Sequence, residues 1–210
     1  MSSLSSPIKT WTSGNQTYVL HTIVLSPSTP VTNEENTVIS CLLNPSLISL
    51  LPDSSIAQKP VQNISYCVLP TSHKGLGMFA TRDIAAGELI AIEHPALILP
   101  AASLPEEAYN EIALQLPDRR RAELMAMANS RTTEECPSPV EGIVRTNALA
   151  LQLNFPKSML NDGPDAKLYG GVYPLLNRCN HRYGALFSFL AIHTLSRALL
   201  IHLAVDRMLP

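Results

Sequence analysis

Two glycines separated by one residue, at the start of a long patterned string, constrain this chain more than any other feature. The string runs from His73 to Ile90 and reads HKGLGMFATRDIAAGELI. Glycine adopts positive φ at little cost and lets other groups approach the backbone. We therefore expect a turn at residues 75–77 whose main chain lies close to another group. A plain β-turn without any ligand is the alternative, because short glycine motifs recur by chance.

A second string lies further along the chain and ends in an asparagine–histidine pair. It runs from Gly170 to His181 and reads GGVYPLLNRCNH. An Asn-His dipeptide alone carries no meaning, and a buried structural histidine would explain it equally well. Its position after Tyr173-Pro174 and downstream of the glycine string makes the combination more specific.

Together the two strings resemble the SET domain, the fold of lysine methyltransferases that use S-adenosylmethionine. That family reads Gly-x-Gly, an apolar or aromatic residue, Ala, a polar step and Ile-x-x-Gly-Glu. A Pro, a short helical turn and Asn-His follow later. The resemblance implies that backbone groups near the glycines bind the methionyl end of the cofactor, and that the Asn-His pair holds its adenine and ribose side. The implied cofactor-binding residues are Lys74, Gly75, Leu76, Gly77, Asn180 and His181.

The chain departs from the family pattern directly after His181. The family continues Ser-Cys-x-Pro-Asn-Ala, whereas this chain continues Arg182-Tyr183-Gly184. Arg182 places a cation beside the site of a sulfonium cofactor, which weakens binding unless that side chain points to solvent. The family's catalytic tyrosine follows a second Gly-Glu-Glu, and the last tyrosine here, Tyr183, is too close to His181 to replace it. No catalytic residue is therefore assigned. We expect weak or absent cofactor binding and no methyl transfer by this chain.

A block of helical sequence separates the two strings, at about residues 104–153. Pro105 and two acids suit a helix start, Asp118 suits an N-cap for a second helix, and residues 140–153 suit a third. The arginines at 119–121 are expected on a solvated helix face. Such an insert resembles the SMYD-like subgroup of the family, here without the MYND zinc module.

Short apolar runs on both sides of this block predict strands. Residues 64–69, 89–93 and 96–99 lie close together and predict an antiparallel meander, and residues 187–192 and 198–205 predict a hairpin. The predicted fold class is α+β, a β-rich SET-like fold of short antiparallel strands with a helical insert, incomplete at its C-terminus.

The first 60 residues differ from the rest in composition. They are rich in Ser, Thr, Pro and Asn, which predicts a largely disordered, low-complexity extension before an incomplete SET domain at 61–210. Two apolar islands interrupt them, a strand-like one at 17–25 and one at 38–51 that suits a short helix or a strand. These islands could pack on the domain, pack on a partner or remain poorly ordered.

Composition excludes several classes of partner. The formal net charge of −2 argues against direct nucleic-acid binding, and no apolar stretch is long enough to span a membrane. The four cysteines form no Cys-x-x-Cys pair, and the histidines at 181, 193 and 202 lack metal-ligand spacing, so no metal site is expected. Without a secretory leader, an intracellular protein of the nucleus or cytoplasm is expected.

Three functions remain open. The first is a lysine methyltransferase, acting on histone or non-histone lysines, whose sequence is incomplete through a gene-model or splicing error. The second is a non-catalytic SET-like module that binds a protein partner or the cofactor only. The third is an α+β interaction protein in which both motifs arise by chance.

Overall fold

The computed structural model describes most of the chain in separate stretches. These are residues 9–26, 36–48, 55–56, 64–72, 75–85, 87–152, 168–179, 187–192 and 200–205. Their strands are β1 (Thr10–Ser13), β2 (Gln16–Ser26), β3 (Thr37–Leu43), β4 (Ser55–Ile56), β5 (Tyr66–Thr71), β6 (Gly75–Ala80), β7 (Leu89–Glu93), β8 (Leu97–Pro100), β9 (Leu149–Gln152), β10 (Leu168–Val172), β11 (Phe187–Ile192) and β12 (Leu200–Val205). Their helices are α1 (Pro45–Ile48), α2 (Glu106–Leu114), α3 (Asp118–Met125) and α4 (Pro139–Asn147). The predicted α+β, β-rich fold class is confirmed.

The largest described sheet has seven strands, in the order β1-β2-β3-β8-β10-β9, with β4 added on β2. Its neighbours are antiparallel except for two parallel pairs, β3 with β8 and β2 with β4. The sequence of β3, TVISCLL, is an apolar run and not an alternation, and its last five residues are buried. Such a run is typical of a strand that is covered on both faces.

Two apolar cores lie on opposite faces of this sheet. Leu97 and Leu99 of β8 belong to one core, and the intervening Ile98 belongs to the other, as the two-residue period of a strand requires. The first core also contains Ile112 of α2 and Ile143 of α4, so the helical block covers one face. The second core contains residues of β7, β10 and the turn after β10.

Two smaller sheets complete the described fold. β5 and β6 form an antiparallel hairpin, and β11, β12 and β7 form a three-stranded antiparallel sheet. The predicted strands at 89–93 and 187–192 are confirmed, as is the pairing of β11 with the strand that follows it. The turn predicted between those two strands lies outside the described residues.

The N-terminal extension is the largest correction. Residues 10–26 and 37–43 form strands of the main sheet and are not a disordered tail. Trp11, Tyr18, Leu25 and Leu42 are buried in the two cores. The apolar islands are thus core strands, and composition misled because the Ser/Thr/Pro-rich segments connect them. A domain boundary at residue 61 is therefore not supported.

Two other predictions of local structure were wrong. The three strands predicted at 64–69, 89–93 and 96–99, now β5, β7 and β8, do not form one meander, because β5 pairs with β6, β7 pairs with β12, and β8 pairs with β3 and β10. The third helix ends at Asn147, and the residues after it form β9 because β10 offers them a pairing partner. In addition, Pro117, not Asp118, holds the N-cap position of α3.

Candidate functional site

The glycine motif lies in a strand and not in a turn, which corrects the prediction for residues 75–77. Thr71 pairs with Gly75 and Leu69 pairs with Gly77 along the β5–β6 hairpin. Gly75 begins β6 with φ +70°, the left-handed region that favours glycine. The Thr71 hydroxyl donates a hydrogen bond to the Gly75 carbonyl at 2.9 Å. The positive φ was anticipated, but the reversal of the chain precedes the motif.

The free edge of β6 offers backbone groups for binding. Among the described residues, β5 and β6 form a sheet of two strands, so the outer edge of β6 pairs with no described strand. Pro70 lies opposite Leu76 and has no N–H to donate. Antiparallel strands alternate between hydrogen-bonded and non-hydrogen-bonded pairs, and this pair suits the second kind. The N–H and C=O of Leu76 are then expected to point away from β5, toward the open edge.

Gly77 is buried beneath neighbouring side chains. A Cβ at this position would lie 3.0 Å from Thr71 Cγ2 and 3.2 Å from Phe79 Cε2. A larger residue would therefore displace the Phe79 ring, which is 43% exposed on the outer face of the hairpin. Glycine here is explained by close packing, whereas at Gly75 it is explained by backbone conformation.

The glycine strand contacts the turn that precedes the Asn-His pair. Met78 and Cys179 approach through their sulfur atoms, Cys179 Sγ lying 3.4 Å from Met78 Sδ. Both side chains pack against the second core. Burial, and to a smaller extent the negative charge of Glu93, raises the pKa of the Cys179 thiol to about 11, so the thiol stays protonated at neutral pH. The two sequence strings are therefore adjacent at this point.

A buried carboxylate accepts hydrogen bonds from the backbone of the same turn. Glu93 ends β7 and is 8% exposed. The backbone N–H of Leu175 donates to it at 2.9 Å, and the N–H of Leu176 donates at 2.8 Å. Burial raises the Glu93 pKa to about 7, while these two hydrogen bonds oppose the shift.

Two tyrosines lie near this carboxylate. Burial raises the pKa of Tyr173 and that of Tyr66, and the negative charge of Glu93 raises both further. The Tyr173 hydroxyl is buried and has no hydrogen-bond partner among the described residues. Both phenols are thus neutral at physiological pH and can donate a hydrogen bond.

Two further contacts attach the turn to the helical block. The Asn177 side chain donates to the Asn147 carbonyl at 2.8 Å, where α4 ends. The Arg178 guanidinium donates to the Ala126 carbonyl at 3.3 Å, just after α3. The turn at 175–179 therefore contacts β6, β7, α3 and the end of α4.

The arginines at 119–121 are not all on a solvated face. Arg119 is largely exposed, as expected, but the Arg120 side chain is only 19% exposed. It donates to the His94 carbonyl at 2.6 Å, next to Glu93. Its positive charge lowers the Glu93 pKa and so favours the ionised carboxylate. Tertiary packing against β7 recruits this arginine, which a charge pattern along one helix cannot reveal.

Only half of the predicted cofactor-binding residues can be located. Gly75, Leu76 and Gly77 lie in β6, whereas Lys74, Asn180 and His181 lie outside the described residues. The structure brings the described glycine motif beside Cys179, the residue immediately before Asn180. Glu93 was missed as a site residue. A carboxylate that ends an apolar strand, before His94-Pro95, was the one available indication.

Within the described part of the chain, no group of three or more His, Cys, Asp and Glu side chains could hold a metal ion. The four cysteines, all of them described, are unbridged. No described helix is long and apolar enough to span a membrane.

Comparisons with protein-family models, with curated proteins and with solved structures gave no match to this chain.

Proposed function

We propose that this chain is a SET-like protein that binds S-adenosylmethionine between the β6 edge and the turn at 175–179. The observation that carries the proposal is the contact between Met78 and Cys179. It joins the strand that contains Gly75 and Gly77 to the residue before Asn180. Two motifs separated by the whole helical block thus meet, as a shared ligand would require.

The described residues fit one end of this cofactor. A methionyl group carries an ammonium and a carboxylate, which backbone carbonyl and N–H groups can bind. The outer edge of β6 supplies such groups at Leu76, and Gly75 has no atom within 4 Å of the position that its Cβ would occupy. Lys74 would add a cation beside the carboxylate. Asn180 and His181 would bind the adenosine end of the cofactor.

The implied chemistry is methyl transfer from the sulfonium of the cofactor to a neutral lysine amine of a histone or another protein. Orientation of the amine and its desolvation are the contributions expected of the protein. Arg182 directly after His181 would place a cation beside the sulfonium, so weak cofactor binding is expected. Tyr183 is too close to His181 to act as the family's catalytic tyrosine, so a polypeptide of these 210 residues is expected to transfer no methyl group to lysine peptides.

Titration of the 210-residue chain with S-adenosylmethionine by calorimetry tests the binding. The informative variant is Gly75→Ala, with Gly14→Ala as a matched control. Gly14 also has positive φ, +57°, and also has no atom within 4 Å of its Cβ position, but it lies in the β1–β2 turn. Both changes should cost about 1 kcal/mol of folding free energy, because alanine disfavours the left-handed region.

Only Gly75→Ala should weaken binding, by roughly tenfold, the equivalent of one hydrogen bond of about 1.4 kcal/mol. Equal affinities of the two variants for S-adenosylmethionine would show that the glycine motif is not part of the cofactor site. Absence of any heat of binding with the unaltered chain would refute the proposed function. A radiolabelled methyl-transfer assay with histone and other lysine peptides should give no turnover, and robust turnover would contradict the expected inactivity.

A further inference from the structure

One ionisable side chain accepts hydrogen bonds from the first two residues of the short turn at 175–179. The carboxylate of Glu93 accepts hydrogen bonds from two successive backbone N–H groups, those of Leu175 and Leu176. Its second oxygen also lies 3.1 Å from Leu175 N. The backbone N–H groups of the next three residues donate within the turn or to Tyr173, and the Asn177 and Arg178 side chains donate to carbonyl oxygens of the helical block.

Each oxygen of the Glu93 carboxylate makes its shortest hydrogen bond to a different backbone N–H group. Oε1 is 2.9 Å from Leu175 N, and Oε2 is 2.8 Å from Leu176 N. An ionised carboxylate can accept at both positions, whereas a neutral acid or an amide presents one donor among its two groups. The 2.9 Å bond from Leu175 N to Oε1 therefore needs the acceptor-only form, and the negative charge strengthens both bonds, although Oε2 alone is within reach of both N–H groups.

We propose that Glu93 is a positioning residue whose buried carboxylate fixes the backbone of Leu175 and Leu176, and with it the turn that places Cys179 beside Met78 of the glycine strand. The consequence for the cofactor rests on the proposed function above. The consequence for the turn does not.

Burial is the main influence on the Glu93 pKa, and the two backbone hydrogen bonds and the charges of neighbouring side chains modify it. Arg120 of α3 favours the charged form and Glu123 of the same helix opposes it. The remaining neighbours in its electrostatic field are Tyr66 of β5, Tyr173 after β10 and Cys179. With a Glu93 pKa of about 7, the carboxylate is mostly neutral at pH 6 and mostly ionised at pH 8.

The test compares Glu93→Gln with Glu111→Gln. Both changes remove one negative charge, but Glu111 lies on α2 and pairs with Lys9. Amide hydrogen exchange at pH 8 should accelerate at least about tenfold at Leu175 or Leu176 in Glu93→Gln, because one neutral amide oxygen replaces two charged acceptor oxygens and bonds the N–H groups more weakly. In Glu111→Gln both amides should exchange as in the unaltered chain.

Cofactor affinity provides the readout that a purely structural role would not change. S-adenosylmethionine should bind the unaltered chain and Glu111→Gln more tightly at pH 8 than at pH 6, by several-fold. In Glu93→Gln affinity should be weaker at pH 8, and the difference from the control should shrink at pH 6. Comparison with the control removes ionisation of the cofactor itself from the result.

Unchanged exchange at Leu175 and Leu176 in Glu93→Gln would overturn the proposal. So would an affinity and pH profile identical to those of the control. If Glu93→Gln does not fold, amide hydrogen exchange in the unaltered chain is the test. The protection of the Leu175 amide from exchange, relative to that of the Tyr169 amide in β10, must increase between pH 6 and pH 8. A ratio of the two protection factors that stays constant overturns the proposal. If the unaltered chain binds no cofactor, the proposed function fails and the cofactor part of this inference fails with it. The exchange data then separately show whether Glu93 holds the turn.

Discussion

At the scale of single residues, two opposing effects act on the ionisation of Glu93. Its burial favours the neutral acid, whereas the N–H groups of Leu175 and Leu176 favour the carboxylate. The Glu93 pKa is raised to about 7, so desolvation is the larger effect. The folded chain therefore reaches the ionised form of Glu93 only at a cost in stability.

This conflict predicts how stability depends on pH. The folded-state pKa of Glu93 lies above its ordinary value of 4.5, so the folded chain binds the proton more tightly than the unfolded chain. The contribution of protonated Glu93 to the free energy of unfolding is complete below pH 4.5 and is lost as the pH rises through about 7. The free energy of unfolding should fall by an amount on the order of 3 kcal/mol over this range. Urea unfolding at several pH values measures it, and Glu93→Gln should remove it.

Burial lowers the pKa of His21, and this group works in the opposite direction. Its contribution to stability is present above pH 6.5 and decreases as pH falls through the folded-state pKa. The difference between the unaltered chain and Glu93→Gln at each pH cancels the histidine term. A difference that does not vary with pH would contradict the assignment of a raised pKa to Glu93.

At the scale of elements, the start of α4 joins two helices through one hydroxyl. Ser138 is the N-cap of α4, accepting from the Glu141 N–H at 3.4 Å. The same hydroxyl donates to Asn110 of α2 at 2.7 Å. Ser138 is fully buried, so both bonds are shielded from water. The sequence Ser-Pro-Val-Glu is a good helix start, but only the tertiary structure adds the bond to α2.

We expect Ser138→Ala to lower the free energy of unfolding by about 1–2 kcal/mol, because it removes the cap and leaves the Asn110 side chain without this donor. Chemical denaturation measures the change. The control is Ser103→Ala at an exposed position before α2, for which we expect a change within about 0.5 kcal/mol. A cost at Ser138 no greater than that at Ser103 would show that the buried hydroxyl contributes nothing.

At the scale of the whole molecule, the N-terminal strands complete the sheet that carries the candidate site. β3 lies between β2 and β8, and β8 pairs in turn with β10, which leads into the turn at 175–179. Leu42 and Cys41 of β3 are fully buried, on opposite faces. Removing β3 would expose both cores and leave β8 with an unpaired edge.

A chain that begins at residue 61 should therefore not fold cooperatively, although composition suggested a domain from that residue onward. Circular dichroism and thermal unfolding should show loss of the cooperative transition. The control is a chain that begins at residue 9, which keeps β1, β2 and β3 and should unfold like the full chain. Native-like unfolding of the shorter chain would mean that the N-terminal strands are dispensable.

Much of the local structure could be read from the chain itself. The helix start at 106 follows from a proline and acidic residues, a helix from about residue 140 follows from its helical content, and β7 and β11 follow from short apolar runs. These features depend on contacts within a few residues, which the order of amino acids specifies directly. The positive φ of Gly75 belongs to the same class.

What only the tertiary structure decided was the choice of partners. β3 pairs with β8 in a register that buries apolar side chains on both faces of the main sheet, and many short apolar strands would suit that position by composition. The pairing of β7 with β12 is likewise a long-range contact that no local pattern specifies. The burial of Glu93 and the contact between Met78 and Cys179 arise from the same packing. The amino-acid order determined which segments form strands and helices and where two motifs lie. Long-range burial, which no local pattern records, determined that the two motifs meet.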